Sequence, residues 1–111
     1  YTYDRGWMAR RFFTGGTMPS HDLFAEFSDH LVRDALWIVD GTHYARTAEA
    51  WAANLDAHAD DLLPILAATY GPGREQAWLA DWRVFFLACA ELFGFRDGTE
   101  WAVTHHRFSR R

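Results

Sequence analysis

Thr42-His-Tyr-Ala-Arg-Thr-Ala-Glu-Ala-Trp51, continuing through Leu55, His58, Leu62 and Ile65 to Leu66, is the stretch on which the reading of this chain turns. Tyr44, Ala48, Trp51, Leu55, Leu62 and Ile65 recur at steps that suit a helix with one apolar face. Glu49, Asp56, Asp60 and Asp61 fall mostly on the other side, in reach of water. Just before it, Leu31 to Asp40 contains Ala35-Leu-Trp-Ile-Val39, a run of β-favouring residues that Asp40-Gly41 closes. The helix therefore starts at the end of a strand, with Tyr44 in its first turn. There the ring can lean over the end of a sheet into a pocket. A buried phenol needs a hydrogen-bond partner, so a structural tyrosine satisfied locally and a pocket tyrosine both remain open.

The flanks complete the pattern. Tyr1 to Phe13, with Tyr1, Tyr3, Trp7, Met8, Phe12 and Phe13, predicts a short helix whose Arg5, Arg10 and Arg11 are solvated. Thr14-Gly-Gly-Thr-Met-Pro-Ser20 is a loop. Ser20 is placed to cap a helix from His21 to about Ser28, with Leu23, Phe24 and Phe27 as its buried stripe. Pro64 predicts a break in the long helix near Leu63, and Tyr70-Gly-Pro-Gly73 a stop. Arg74 to Phe93 predicts a second long helix with Trp78, Trp82, Phe85, Phe86, Cys89, Leu92 and Phe93 on a wide aromatic face, by default core and equally able to line a tunnel. Gly94 and Arg96-Asp-Gly98 end it in a turn. Glu100 to Arg110 reads as a last strand, alternating Trp101, Val103, His105 and Arg107 with Ala102, Thr104, His106 and Phe108.

Two strands separated by about sixty residues of helix are marginal alone. The apolar run of the first is that of a strand covered on both faces. Both are expected to belong to a larger sheet, and the chain, which begins at Tyr1, to be the tail of a longer protein.

Composition narrows the function. A chain of 111 residues with 17% aromatics can bury roughly 65% of its unfolded surface as one core. The net charge of −4 disfavours a nucleic-acid binder, which needs a basic face. The single cysteine, Cys89, excludes an internal disulfide and fits a reducing, cytoplasmic compartment. No apolar run approaches the roughly 20 residues of a membrane-spanning helix. His105 and His106 are neighbours in a strand and point to opposite faces, and no second cysteine exists, so no metal is expected. Gly15-Gly16 lacks the preceding strand, third glycine and lysine of a phosphate loop. Cys89 has no base nearby in sequence and reads as an inert core thiol.

Phe12-Phe-Thr-Gly-Gly-Thr-Met-Pro-Ser20, Gly41-Thr-His-Tyr-Ala-Arg-Thr-Ala-Glu-Ala-Trp51, Trp82-Arg-Val-Phe-Phe-Leu-Ala-Cys-Ala-Glu-Leu-Phe93 and Glu100-Trp-Ala-Val-Thr-His105 share an order and spacing with a known family. Together they resemble the C-terminal third of the cyclopropane-fatty-acyl-phospholipid synthase family. The branch that methylates benzylisoquinoline amines, the coclaurine N-methyltransferases, is especially similar around the Thr-Gly-Gly-Thr-Met-Pro-Ser loop and the Glu-Trp strand. The resemblance implies an α/β fold: the C-terminal portion of a class I, Rossmann-like methyltransferase. Residues 1–111 would be its substrate-side part, two strands of a larger sheet with two long helices and one or two short ones. The cofactor-binding half would lie upstream of Tyr1.

The implied cofactor is S-adenosylmethionine, with bicarbonate as a base in the lipid-modifying members. By the same resemblance Tyr44 is the catalytic tyrosine that helps hold that base beside the methyl. Phe13, Met18, Ala48, Cys89 and Phe93 fall on positions that line the substrate tunnel. The implied partners are an apolar small molecule or a lipid acyl chain, the rest of the same protein, a membrane surface touched peripherally, and a second copy of the chain. Thr14, where lipid members usually carry proline, follows the amine-methylating branch. A stand-alone module that binds an apolar ligand without catalysis is the competing expectation. The chain by itself is expected not to bind S-adenosylmethionine usefully.

Overall fold

A computed structural model describes residues 4–111. Tyr1 and Tyr3, expected in the first helix, lie outside the described residues. The chain divides into two compact units: the part up to Ile38 with Thr104–Arg111, and Val39–Val103.

In the first unit α1 (Gly6–Arg11) carries Trp7 edge-on to Phe12, ring centroids 5.4 Å apart, and buries Ala9. β1 (Leu31–Asp40) and β2 (Ala102–Arg110) form a two-stranded sheet. The pairing is antiparallel: the N–H of Arg111 donates to the carbonyl of His30 at 3.0 Å, while Ser109 donates to Asp34 at 2.8 Å. In β2, Thr104, His106 and Phe108 are half-buried and His105, Arg107 and Ser109 exposed, the alternation the sequence predicts.

The expected helix from His21 to Ser28 is a correction. Only a 3-10 turn at Leu23–Glu26 forms, led by Asp22 rather than by Ser20. Leu23, Phe24 and Phe27 are exposed, Phe27 at 69%. Four residues of tight helix present no continuous stripe to bury. Phe24 instead meets His106 edge-on at 5.2 Å. β1 is also barer than a strand covered on both faces: Leu31, Val32, Trp37 and Ile38 are all exposed. Large apolar side chains on a short sheet favour association. The isolated chain is therefore expected to self-associate, and a clean monomer by sedimentation at high concentration would contradict this.

The second unit is helical. Asp40 caps α2 (Gly41–Ala57), its carboxylate accepting from the Thr42 N–H at 3.0 Å and from the Thr42 hydroxyl. The Thr42 hydroxyl, then its N–H, hold the Asp40 carboxyl below its ordinary pKa. A depressed carboxylate stabilises above its unfolded pKa, so this cap weakens in acid.

The buried stripe of α2 is Gly41, Ala45, Ala48, Ala52 and Leu55, facing α4. This corrects the predicted face: Trp51 is 46% exposed and Ile65 59%. Small side chains let two helix axes approach closely, and the bulky ring is left on the flank. The helix also breaks at His58, not near Leu63. The His58 N–H donates to the carbonyls of Asn54 and Leu55, both at 3.2 Å, and α3 (Ala59–Tyr70) starts afresh with a new phase. Pro64 then lies in the second turn of α3, which continues through it to Tyr70.

α4 (Glu75–Gly94) buries Phe85, Cys89, Ala90 and Phe93. It ends in the tight turn Phe95–Gly98, where Arg96 and Asp97 take left-handed φ of 49° and 56°. Arg96 is held there by Glu100, 2.7 Å from its guanidinium, and by the Thr99 hydroxyl, which donates to the Arg96 carbonyl at 2.8 Å. Gly98 closes the turn at φ 75°; a Cβ there would sit 2.7 Å from the backbone nitrogen of Gly41.

Candidate functional site

The second unit brings four predicted site residues to neighbouring positions on α2 and α4. Tyr44, half-buried in the first turn of α2, meets Phe93 of α4 edge-on, centroids 4.5 Å apart. Ala48, one turn on, is 0% exposed. Cys89, one turn before Phe93, is 5% exposed, and the Tyr44 side chain lowers the pKa of its thiol against the larger rise from burial.

Phe13 and Met18 belong to the first unit. The Phe13 N–H donates to the Met8 carbonyl at 3.1 Å, and Met18 is half-buried beyond the glycine pair. The Thr14 hydroxyl donates to the Ala9 carbonyl at 3.1 Å, tying the loop back to α1 by a bond that proline could not make.

Burial pushes the Cys89 thiol above its ordinary pKa, and the Tyr44 side chain draws it partly back. With the folded pKa raised, the stability contribution is present below the unfolded value and lost as pH rises beyond it. Native protein should therefore lose stability in alkaline solution above roughly pH 8.5, and Cys89→Ala should remove that part of the loss. An aromatic disulfide reagent at pH 8 should label Cys89 at least about tenfold more slowly in the native chain than in denaturant. Equal rates would mean an open thiol.

Beyond Tyr44 the aromatic residues continue. Its ring meets Trp51 at 6.0 Å, Trp51 meets Phe86 at 5.7 Å, and Phe86 meets Trp82 at 5.8 Å. Trp82 is held by its indole N–H, which donates to the Tyr70 hydroxyl at 3.3 Å, while Tyr70 stacks on Trp78 at 3.7 Å and 9°. Of these rings Trp51, Tyr70, Trp82 and Phe86 line an open groove of about 940 Å³ on α2, α3 and α4, together with Leu55, Leu62 and Leu66 and the polar His58 and Asp61. Arg83 bridges α4 to Asp56 of α2 at 2.9 and 3.2 Å. The sequence pointed to one wall of the groove, the aromatic face of α4, but placed Trp51 of the other wall on the buried face, whereas it is 46% exposed; Asp61 is exposed as read. The one available signal was the tryptophans on both long helices, more than one apolar core needs.

Among the described residues no cluster of His, Cys, Asp and Glu forms a metal cradle, and no helix is long and apolar enough to cross a membrane. Gly41 follows β1 directly, as a cofactor-loop glycine would. Its Cα is instead covered by the carbonyls of Phe93 and Trp101, so this turn is closed packing, not a cradle.

No protein-family model matches the chain. It is 33% identical over 109 residues to (S)-coclaurine N-methyltransferase of Thalictrum flavum subsp. glaucum and 31% identical over 108 residues to that of Papaver somniferum. It is 26% identical over 109 residues to pavine N-methyltransferase of Thalictrum flavum subsp. glaucum. Each match takes in 95% of this chain, which spans about a third of the length of these curated relatives: 30%, 31% and 30%. The crystal structure of coclaurine N-methyltransferase bound to N-methylheliamine and SAH superposes with a TM-score of 0.79 at 30% identity, covering 100% of this chain and 35% of that one. The homologues of this chain are thus methyltransferases of the coclaurine N-methyltransferase kind, and its α/β fold is that of their C-terminal part.

Proposed function

We propose that residues 1–111 form the substrate-side portion of an S-adenosylmethionine-dependent methyltransferase that N-methylates an aromatic amine. The observation that carries this reading is the likeness, in sequence and in backbone, to N-methyltransferases over nearly the whole chain.

When bound, S-adenosylmethionine supplies an electrophilic methyl on a sulfonium. The residues of this chain do not fit the role of its holder, and the remaining sequence of the protein carries it. What they do is receive the acceptor. An in-line attack needs a positioned amine and a dry site. The rings of Tyr44 and Phe93 offer an apolar wall, and the Tyr44 hydroxyl at its edge orients a polar group. In this reading Tyr44 is the residue beside the reaction, with Phe93 against its ring and Ala48 and Cys89 on the same two helices. The buried free thiol of Cys89 suits a reducing, cytoplasmic setting.

The test is methyl transfer from labelled S-adenosylmethionine by the whole protein that carries this chain. The acceptors are a tetrahydroisoquinoline amine and an unsaturated phospholipid. Methylation of the amine supports the reading. Methylation of the lipid, stimulated by bicarbonate, assigns the chain to cyclopropane synthesis at a membrane surface instead. Transfer to neither, with apolar ligands still bound, leaves a binding module.

A further inference from the structure

Asp40, the end of α4 and the turn after it converge on the first turn of α2, which carries Tyr44. The Asp40 carboxylate accepts from the Thr42 N–H at 3.0 Å and from the Thr42 hydroxyl. α2 starts at Gly41, so the i→i−4 pattern of the helix ties the Tyr44 N–H to the Asp40 carbonyl. His43 Nε2 lies 3.7 Å from Asp40 Oδ2. The turn Phe95–Gly98 closes on the same atoms: a Cβ on Gly98 would sit 2.7 Å from the Gly41 nitrogen and 3.0 Å from Asp40 Oδ1. The left-handed Arg96 and Asp97 of that turn are steadied by the Arg96–Glu100 pair at 2.7 Å. Asp40 is thus the side chain that ties this packed backbone to the start of α2. Its carboxyl, held below its ordinary pKa chiefly by the Thr42 hydroxyl, stays an ionised acceptor at neutral pH. A cap fixes where a helix begins, and without it the first turn frays. Fraying there carries the Tyr44 phenol away from Phe93, whose ring it meets at 4.5 Å. A shift of about 1 Å near a reacting centre can cost a large factor in rate.

We propose that Asp40 is the positioning residue of Tyr44: by capping Thr42 it fixes the first turn of α2, and with it the place of the phenol hydroxyl in methyl transfer. The inference rests on the reading of Tyr44 as the residue beside the reaction and deepens it. The action runs through the backbone of Thr42 and Tyr44, not through contact between Asp40 and a substrate.

Turnover per folded molecule and the titration of the Cys89 thiol, both in the whole protein, test it. The titration is followed by NMR of 13Cβ-labelled cysteine and assigned with Cys89→Ala. Asp40→Ala should lower methyl-transfer turnover about tenfold, and Asp40→Asn, which keeps an acceptor oxygen at the cap, should stay within about twofold of the wild type. In the Tyr44→Phe background Asp40→Ala should cost no more than about twofold, because the hydroxyl it would misplace is already gone. The thiol separates displacement from loosening. Burial raises its pKa and the Tyr44 side chain lowers it. A phenol that moves away therefore raises the pKa, and a core that opens to water lowers it. Asp40→Ala should shift the Cys89 titration upward, and should leave it unshifted in Tyr44→Phe. Equal losses of turnover with and without the Tyr44 hydroxyl, a loss in Asp40→Asn as large as in Asp40→Ala, or a thiol titration that stays or moves down would each overturn the proposal. The two readings fail separately. If Tyr44→Phe keeps full turnover while Asp40→Ala still shifts the thiol upward, the cap's hold on Tyr44 stands and the reading of Tyr44 beside the reaction falls. If Tyr44→Phe loses turnover while Asp40→Ala changes neither turnover nor thiol, the reading of Tyr44 stands and the role of Asp40 falls.

Discussion

Tyr44→Phe, made in the protein that carries this chain, is expected to lower methyl-transfer turnover roughly ten- to a thousandfold, the scale of losing one positioned polar group near a reacting centre. The melting temperature should barely move. The ring keeps its edge-on contacts with Phe93 and Trp51. Only one hydroxyl is lost, worth about 1 kcal/mol. Cys89→Ala provides the matching control: it removes the thiol that the Tyr44 side chain acts on and keeps the hydroxyl. If Tyr44 acts by orientation, this variant should lower turnover by a smaller factor, and its effect should vanish in the Tyr44→Phe background. The opposite pattern is a lower melting temperature with turnover per folded molecule unchanged. It would make Tyr44 a core residue whose hydroxyl serves Cys89 alone.

Gly41→Ala is expected to be the most destabilising single methyl in the second unit. Gly41 opens α2 with its Cα against the carbonyl oxygens of Phe93 and Trp101, and an added Cβ would overlap both. Backbone oxygens cannot swing aside as a side chain would. α2 must move away from the end of α4, taking the Ala45, Ala48 and Ala52 stripe with it. Overpacking of this kind costs about 3 kcal/mol, which in a chain this size lowers the melting temperature by roughly 12 °C. Gly94→Ala isolates the cause. That glycine ends α4 in ordinary helical φ/ψ, and its added Cβ would meet only the Cβ of Ala45 at 3.5 Å, a normal contact. It should be neutral or slightly stabilising, by about 0.5 kcal/mol. Equal melting temperatures for the two variants would show that the α2–α4 approach yields easily.

Much of this architecture was legible before any coordinates. β1 occupies Leu31–Asp40 as read, and α4 differs from its predicted span by one residue at each end. The stop at Tyr70 and the turn at Arg96-Asp-Gly98 also lie where the glycines put them. These features are local. A β-favouring run, a helical apolar period and a glycine at positive φ act within a few residues and need no distant partner.

The resemblance of four ordered blocks carried the function further than any residue type could, and the N-methyltransferase relatives agree with its amine-methylating branch, not with the lipid-cyclopropanating one. What tertiary structure decided was which side of each element lies innermost. Periodicity placed Trp51 and Ile65 inside, because large apolar residues are ordinarily buried. In the folded chain the inner stripe of α2 is Gly41, Ala45, Ala48, Ala52 and Leu55, and at its start the carbonyls of Phe93 and Trp101 come so near that nothing larger than glycine fits. That displacement turns Trp51 outward and leaves the groove between α2, α3 and α4 with Asp61 at its side. His58 rather than Pro64 breaks the helix for a related reason. Its carbonyl accepts the Asp61 and Leu62 N–H groups, at 3.1 Å each, so a new helix can begin there. How closely two helix backbones approach depends on residues far apart in the chain, and no local pattern encodes it.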